Sequence, residues 1–380
     1  MFSIERKTIW RGRTGNDKTY FHPRVTAFED NQGKRLLMTL QEISGSDYYH
    51  HVQQSYSSDG GESWSESGNI PDMGRKDIGN GIEEGVCDVV PDYHQKTEKV
   101  LAIGHNVYYK NGMLYDTHGD FRPEEKSESL QRRSVYCVRE KDGSWSRRKK
   151  IMLDEFEKTS SLVCGCSQKV FLPDGKIIIP FCVGYQNRKD RVVCSILCEF
   201  DGFDIKALRR GDILENPAGR GLLEPSVILY NKRFYLTLRA EDDHGYVSVS
   251  DDGLSWEPIK PWAWDNGQML TMSSTQQHWL AHKGKLYLVY TRKTEKNCNV
   301  MRWRSPLFIS EVDPNSLCLI KDSEKDVFPL VGDGVNDPES VPMMGNFQAV
   351  SISESESIIT DGDCLPYKGY KGDTLLAKIN

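Results

Sequence analysis

The sequence predicts an all-β protein, a six-bladed β-propeller of four-stranded antiparallel blades. Three observations lead there. One type of hairpin recurs six times along 380 residues. A turn of the form Ser-Asp-x-Gly-x-x-Trp occurs twice, at residues 58–64 and 250–256. Helical periodicity is scarce, confined to residues 126–132 and 153–158, both in connections.

The hairpins span residues 24–41, 88–105, 168–182, 224–239, 276–292 and 348–361. Each opens on a polar residue, turns, and returns as an apolar strand, the period-2 pattern of half-buried antiparallel strands. Their turns lie near residues 32, 97, 174, 231, 283 and 355, so successive turns are 52 to 77 residues apart. That spacing holds one four-stranded blade and its loops. The fourth copy is the clearest: Phe234, Leu236 and Leu238 share one face of its return strand, and a third strand follows at 245–250. The sixth is the faintest. Residues 117–133 and 333–342 read as long inter-blade loops. No linker divides the chain, so residues 1–380 are expected to form a single propeller domain. Its ring is expected to close by pairing 8–13 beside 374–379, the N- and C-terminal strands.

Composition narrows the functional classes. The chain is 38% hydrophobic, 10% aromatic and 27% charged, with a net charge of -6. An acidic balance argues against nucleic acid as a partner. No apolar run approaches the length of a membrane span. The first residues lack the apolar core of a secretory signal, so a complete chain is expected in the cytoplasm. The ten cysteines lack zinc-type paired spacing and read as reduced core thiols. No cofactor or metal is demanded. His105, Gln277 and His278 have side chains able to hold a divalent cation, but no spacing motif enforces one.

The repeated turn has a structural chemistry. Its aspartate accepts hydrogen bonds from backbone N–H groups, its glycine supplies an unusual backbone angle, and its tryptophan folds back as an apolar plug. Residues 140–145 look like a worn third copy. These turns resemble the Asp-box, or BNR repeat, of the sialidase superfamily. The resemblance implies a propeller with the boxes between third and fourth strands, on the outside. It also implies that Asp59 and Asp251 are scaffold.

In a propeller the inner strands line a central channel, and one end of it gathers side chains from every blade. The hairpin ends supply Arg24, Asp88, Gln168, Glu224, Gln276, Gln277, His278 and Gln348, and His105, Arg239 and Arg292. Guanidinium groups converging from separate blades form a fork for a carboxylate. By resemblance to sialidases, Arg24, Arg239 and Arg292 would grip an acidic sugar, with Arg302 and Arg304 as rivals for the third place. Glu224 would polarise a nucleophile, and Asp47, in the loop after the first hairpin, would be the acid/base. The sixth hairpin lacks the tyrosine of that pattern; Tyr367 and Tyr370 follow it. The expected function is exo-acting, sialidase-like hydrolysis of an oligosaccharide that contains sialic or uronic acid. Two alternatives stand beside it. One is β-elimination at a uronic acid, with His105 and Tyr108 moving the protons. The other is a non-catalytic glycan-binding propeller that stacks sugars on Trp262, Trp264, Trp279 or Trp303.

Overall fold

The computed structural model describes residues 2–115 and 130–380. The helix expected at 126–132 lies mostly outside them, as does most of the loop at 117–133. Within view, Arg132 opens a strand, Arg132–Arg139, instead of ending a helix. The second expected helix is a single 3-10 turn, Asp154–Phe156.

The described residues are all-β apart from such short turns. Each expected hairpin forms, pairing Tyr20–Asp30 with Gly33–Ile43, Ile82–His94 with Lys99–Lys110, Val170–Phe171 with Lys176–Gly184, Leu223–Tyr230 with Arg233–Arg239, His278–His282 with Lys285–Tyr290, and Gln348–Ser351 with Ser357–Gly362. A third strand then runs beside each return strand. The expected six discrete blades are corrected, however. The described residues form four self-contained sheets of four or five strands and one continuous sheet of eleven. Parallel pairing of Arg132 with Ser161 and Arg133 with Leu162 joins the second and third repeats. Main-chain groups of the connection find partners there that solvent would otherwise supply. The termini meet as the alternation implies: Ile4–Arg11 runs antiparallel to Asp373–Ile379, with Ile4 opposite Ile379.

The apolar core lies between consecutive repeats. Leu101, Tyr136, Phe181 and Ile196 pack the second repeat on the third. Tyr235, Trp262, Trp279 and Tyr290 pack the fourth on the fifth. Leu36, Met38, Ile358 and Leu376 pack the sixth on the first and complete the ring. Full burial of one such side chain stabilises by about 1.5–3 kcal/mol. Trp262 and Trp279 are wholly inside, edge to face with ring centroids 5.6 Å apart, and Trp264 is buried beside them. These three are core, which removes them as sugar platforms. All ten cysteines are free thiols, and most are buried.

The boxed turns sit between third and fourth strands. In the first, Asp59 Oδ1 accepts from Ser63 N at 2.9 Å. In the second the working carboxylate is Asp252, not Asp251: Asp252 Oδ1 accepts from Leu254 N at 2.8 Å and Ser255 N at 2.7 Å. Asp251 turns outward to Arg233. Asp252→Ala is therefore expected to cost about 1–2 kcal/mol in urea unfolding. Asp251→Ala should cost less than half as much.

Next to the closing strand, Ser357–Gly362 and the residue just after it bring Asp361 and Asp363 inside. Burial pushes the carboxyl of Asp361 up to about 7, outweighing the Gly345 and Asn346 N–H groups that it accepts from at 3.2 Å. Burial also raises Asp363 to about 6 against the opposing charge of Arg13. A carboxyl that binds its proton more tightly when folded stabilises at low pH, and that stability is lost as pH rises through the folded pKa. Asp361→Asn should thus raise the melting temperature at pH 8 by about 2–4 °C and have little effect at pH 4.5. Differential scanning fluorimetry at both values checks the sign.

Candidate active site at the inner strand ends

Backbone irregularity marks one end of the inner strands. Regular pairing breaks between Phe21 and Arg24, between Cys87 and Val90, and between Leu223 and Ser226. At each break a residue other than glycine takes positive φ: His22 at 52°, Asp88 at 55° and Glu224 at 45°. Such bulges re-aim side chains at a cost in strain, and they collect at functional sites. Here they bring one imidazole and two carboxylates to one end of the inner sheet.

Below them the axis is filled by hydrogen bonds between repeats. Gln168 receives the Trp279 N–H at 2.6 Å and donates to the carbonyls of Trp279 at 2.8 Å and Ala349 at 3.0 Å. Gln348 accepts from Val25 N, and Gln276 donates to Phe347 O at 2.6 Å. His278 is buried, shares a hydrogen bond with Ser226 at 3.2 Å, and is held neutral by that burial and by the Arg24 charge. Gln277 accepts from Thr237. Gln168, Gln277, His278 and Gln348 are therefore fasteners of the ring, and their expected part in substrate binding is not where the geometry puts them. The divalent-cation grouping of His105, Gln277 and His278 is likewise not assembled: His105 lies with Cys87 and Asp88 instead.

Arg24 belongs to the same buried layer. Its guanidinium donates to Phe347 O, to Gln276 Oε1 at 3.2 Å and to Asp88 Oδ1 at 3.2 Å. His22 Nε2 lies 3.2 Å from that same oxygen. Burial opposes the charge on Asp88, but the Arg24 guanidinium bonded to it holds its pKa below the usual carboxylate range, while burial keeps His22 and His105 themselves neutral. Asp88 is thus a fixed anion, and Arg24 is already spent on it. Arg292 is also spent. Its Nε and Nη2 grip Glu324 at 2.7 and 2.5 Å, and the group lies over Trp264 and Phe308. Both leave the expected carboxylate clamp for this reason.

Arg239 pairs with the glutamate that opens its own hairpin. Nη1 donates to Glu224 Oε1 at 2.5 Å, and Nε donates to Ser274 at 3.1 Å. Arg302 and Arg304 come to the same place. Burial lowers Arg302, and the charges of Arg239 and Arg220 lower it further. Burial also depresses Arg304, reinforced by Arg239 and Arg302 and opposed by Glu224 and Asp47. The buried Nε of Arg304 has no hydrogen-bond acceptor. Nearby, Arg220 is neutralised by Glu241. The clustered cations are therefore Arg239, Arg302 and Arg304, with Glu224 among them.

Asp47 faces this cluster from the first repeat. It is exposed, has φ of 51°, and its Oδ1 accepts the Tyr49 hydroxyl at 3.0 Å. The Tyr49 ring lies 4.7 Å from that of His22. Tyr109 steadies the loop by donating to the Asp47 carbonyl at 3.0 Å. The His105–Tyr108 pair fails. Three residues apart on the strand Lys99–Lys110, they point to opposite faces. His105 Nε2 meets Cys87 Sγ at 3.3 Å, whereas Tyr108 donates to Gln131 O at 2.9 Å and packs with Ile82 and Tyr115. Tyr367 is exposed, and Tyr370 packs against the cluster of Phe21, Tyr49 and Tyr109. Sequence reading missed His22 and Tyr49; the bulge that aims His22 has no signature beyond a residue before proline.

The pattern of the family described as BNR repeat-like domain matches residues 121–324. No curated protein matches the chain. Trypanosoma rangeli sialidase, solved with the inhibitor DANA, is similar over 99% of this chain, with TM-score 0.64 and 12% identity; this chain spans 59% of its length. A Hadza microbial sialidase is similar over 98% of this chain and 68% of its own, with TM-score 0.64 and 13% identity. A Dyadobacter fermentans protein of unknown function is similar over 99% of both chains, with TM-score 0.60 and 13% identity. At such identities the likeness is one of fold.

The axial fasteners predict a clear cost. Gln168→Ala leaves Trp279 N and two carbonyls without their partner, at about 1–3 kcal/mol for each buried group that stays unpaired. Chemical denaturation should show a loss above ~2 kcal/mol, and Gln168→Glu should not restore it.

Proposed function

This chain belongs to the BNR repeat-like domain family, and we propose that it is a sialidase-like glycosidase acting on an oligosaccharide that carries a sialic or uronic acid. One observation carries the reading: Arg304 is half-buried and its Nε, itself buried, lacks an acceptor, next to Arg239 and Arg302. A buried donor left without an acceptor is unfavourable. A ligand carboxylate supplies the missing acceptor and, with Glu224, balances the cluster. Arginine suits this work because its fork meets both oxygens of a carboxylate.

The other groups take roles around the bound sugar. Glu224, tied to Arg239, orients the clamp. Asp47 stands opposite on an exposed loop, where closure over a sugar would desolvate its carboxyl and favour the protonated acid. Retaining hydrolysis also needs a nucleophile. Tyr49, whose hydroxyl already donates to Asp47, is the candidate for that role. The neighbouring His22–Tyr49 pair also keeps β-elimination as the second reading, in place of His105 and Tyr108.

Incubation with sialyl-linked and uronyl-linked oligosaccharides separates these readings. Release of reducing sugar without a chromophore supports hydrolysis. An unsaturated uronide, seen in the ultraviolet, supports elimination, and binding without product supports a lectin. Within the active reading, Arg304→Ala is expected to lower kcat/KM by ~10²–10³-fold. Arg292→Ala should lower it less than ~3-fold. Equal losses from the two variants would remove Arg304 from the clamp.

A further inference from the structure

The strand Ile82–His94 contains a grouping that carboxylate binding does not use. Cys87 Sγ, a carboxylate oxygen of Asp88 and a ring nitrogen of His105 all lie within 4.8 Å of one another. Cys87 and Asp88 are consecutive, and on a regular strand their side chains would point to opposite faces. The bulge between Cys87 and Val90, with Asp88 at φ 55°, turns both towards His105. We propose that these three residues form a binding site for a divalent transition metal of the zinc class.

The donor chemistry favours that class. One thiolate, one imidazole and one carboxylate form a mixed set typical of zinc. In a tetrahedral site, donor atoms bonded at ~2.0–2.3 Å lie roughly 3.2–3.8 Å apart. Cys87 Sγ and His105 Nε2 are already 3.3 Å apart. His22 Nε2, 3.2 Å from Asp88 Oδ1, is the nearest further donor. Three protein ligands leave one coordination position for that nitrogen or for solvent.

The surroundings fit a ligand set. Arg24 and His22 both hold Asp88 Oδ1 at 3.2 Å, which fixes the carboxylate and leaves Oδ2 for a metal. Gly165 packs flat on the group: a Cβ there would lie 2.0 Å from His105 Nδ1 and 2.9 Å from Asp88 Cβ. The glycine thus gives the imidazole room beside the strand. Arg24, Arg132 and Arg191 put positive charge nearby. A dication is admissible beside them because the Cys87 thiolate and the Asp88 carboxylate cancel its charge. Binding then releases the thiol proton to solvent. The metal adds one net positive charge to the site.

The test uses the full chain, purified, incubated with Zn²⁺ and freed of loose metal by gel filtration. Elemental analysis is expected to find ~1 zinc per chain. Replacing zinc with Co²⁺ should give a thiolate-to-cobalt charge-transfer band in the near ultraviolet. Cys87→Ser should abolish that band and lower retained zinc at least ~10-fold. Cys318→Ser, a thiol elsewhere, should leave both unchanged. His105→Gln provides a second variant should Cys87→Ser fail to fold. Absence of retained zinc in the wild-type protein would overturn the site, as would a cobalt spectrum without the thiolate band. So would a folded Cys87→Ser or His105→Gln protein that binds zinc like the wild type. None of these readouts depends on glycosidase activity.

Discussion

Inner strands that converge on an axis must satisfy their inward polar groups without solvent. This protein meets that constraint with amides. Gln168, from the third repeat, pairs with main chain of the fifth and sixth, while Gln348 and Gln276 act within the first, fifth and sixth. A buried amide that uses donor and acceptor together rigidifies its surroundings; half satisfied, it would be a liability. Because these bonds cross between repeats, they set repeat against repeat where side chains must converge.

The site depends on that rigidity. Bulges at His22, Asp88 and Glu224 hold side chains in strained backbone, which persists only where neighbours over-determine it. Arg24 does much of this work from below, linking Asp88 to the sixth and fifth repeats. It is a positioning residue, although its basic type alone suggests a ligand contact. Arg239 and the loop bearing Arg302 and Arg304 supply the remaining clustered guanidinium groups. That loop strains its backbone too, with Arg302 and Trp303 both at φ 50°.

The hairpins were legible because alternation of apolar and polar residues is a local signal. The ring closure followed because the terminal strands share that signal. The joining of second and third repeats was not legible. It rests on main-chain pairing of Arg132 and Arg133 with residues about thirty positions on, and carries no side-chain signature. Among the arginines, residue type was visible and partner was not. Arg292 finds Glu324 in a connection 32 residues later, so its charge is neutralised from outside its own hairpin. The separation of His105 from Tyr108 was legible in parity alone, since residues three apart on a strand oppose each other. The shift from Asp251 to Asp252 in the second box was not, because it turns on a one-residue difference in backbone path.

The central claim is that an anionic group of the substrate completes the Arg239, Arg302 and Arg304 cluster. The most direct measurement is a crystal structure with a bound acidic monosaccharide, sialic acid or glucuronic acid. The expected result is the sugar carboxylate within hydrogen-bond distance of Arg304 and Arg239, with the ring beneath Asp47. A carboxylate bound at Arg292 or elsewhere, with the three guanidinium groups left in solvent or in new protein contacts, would contradict it.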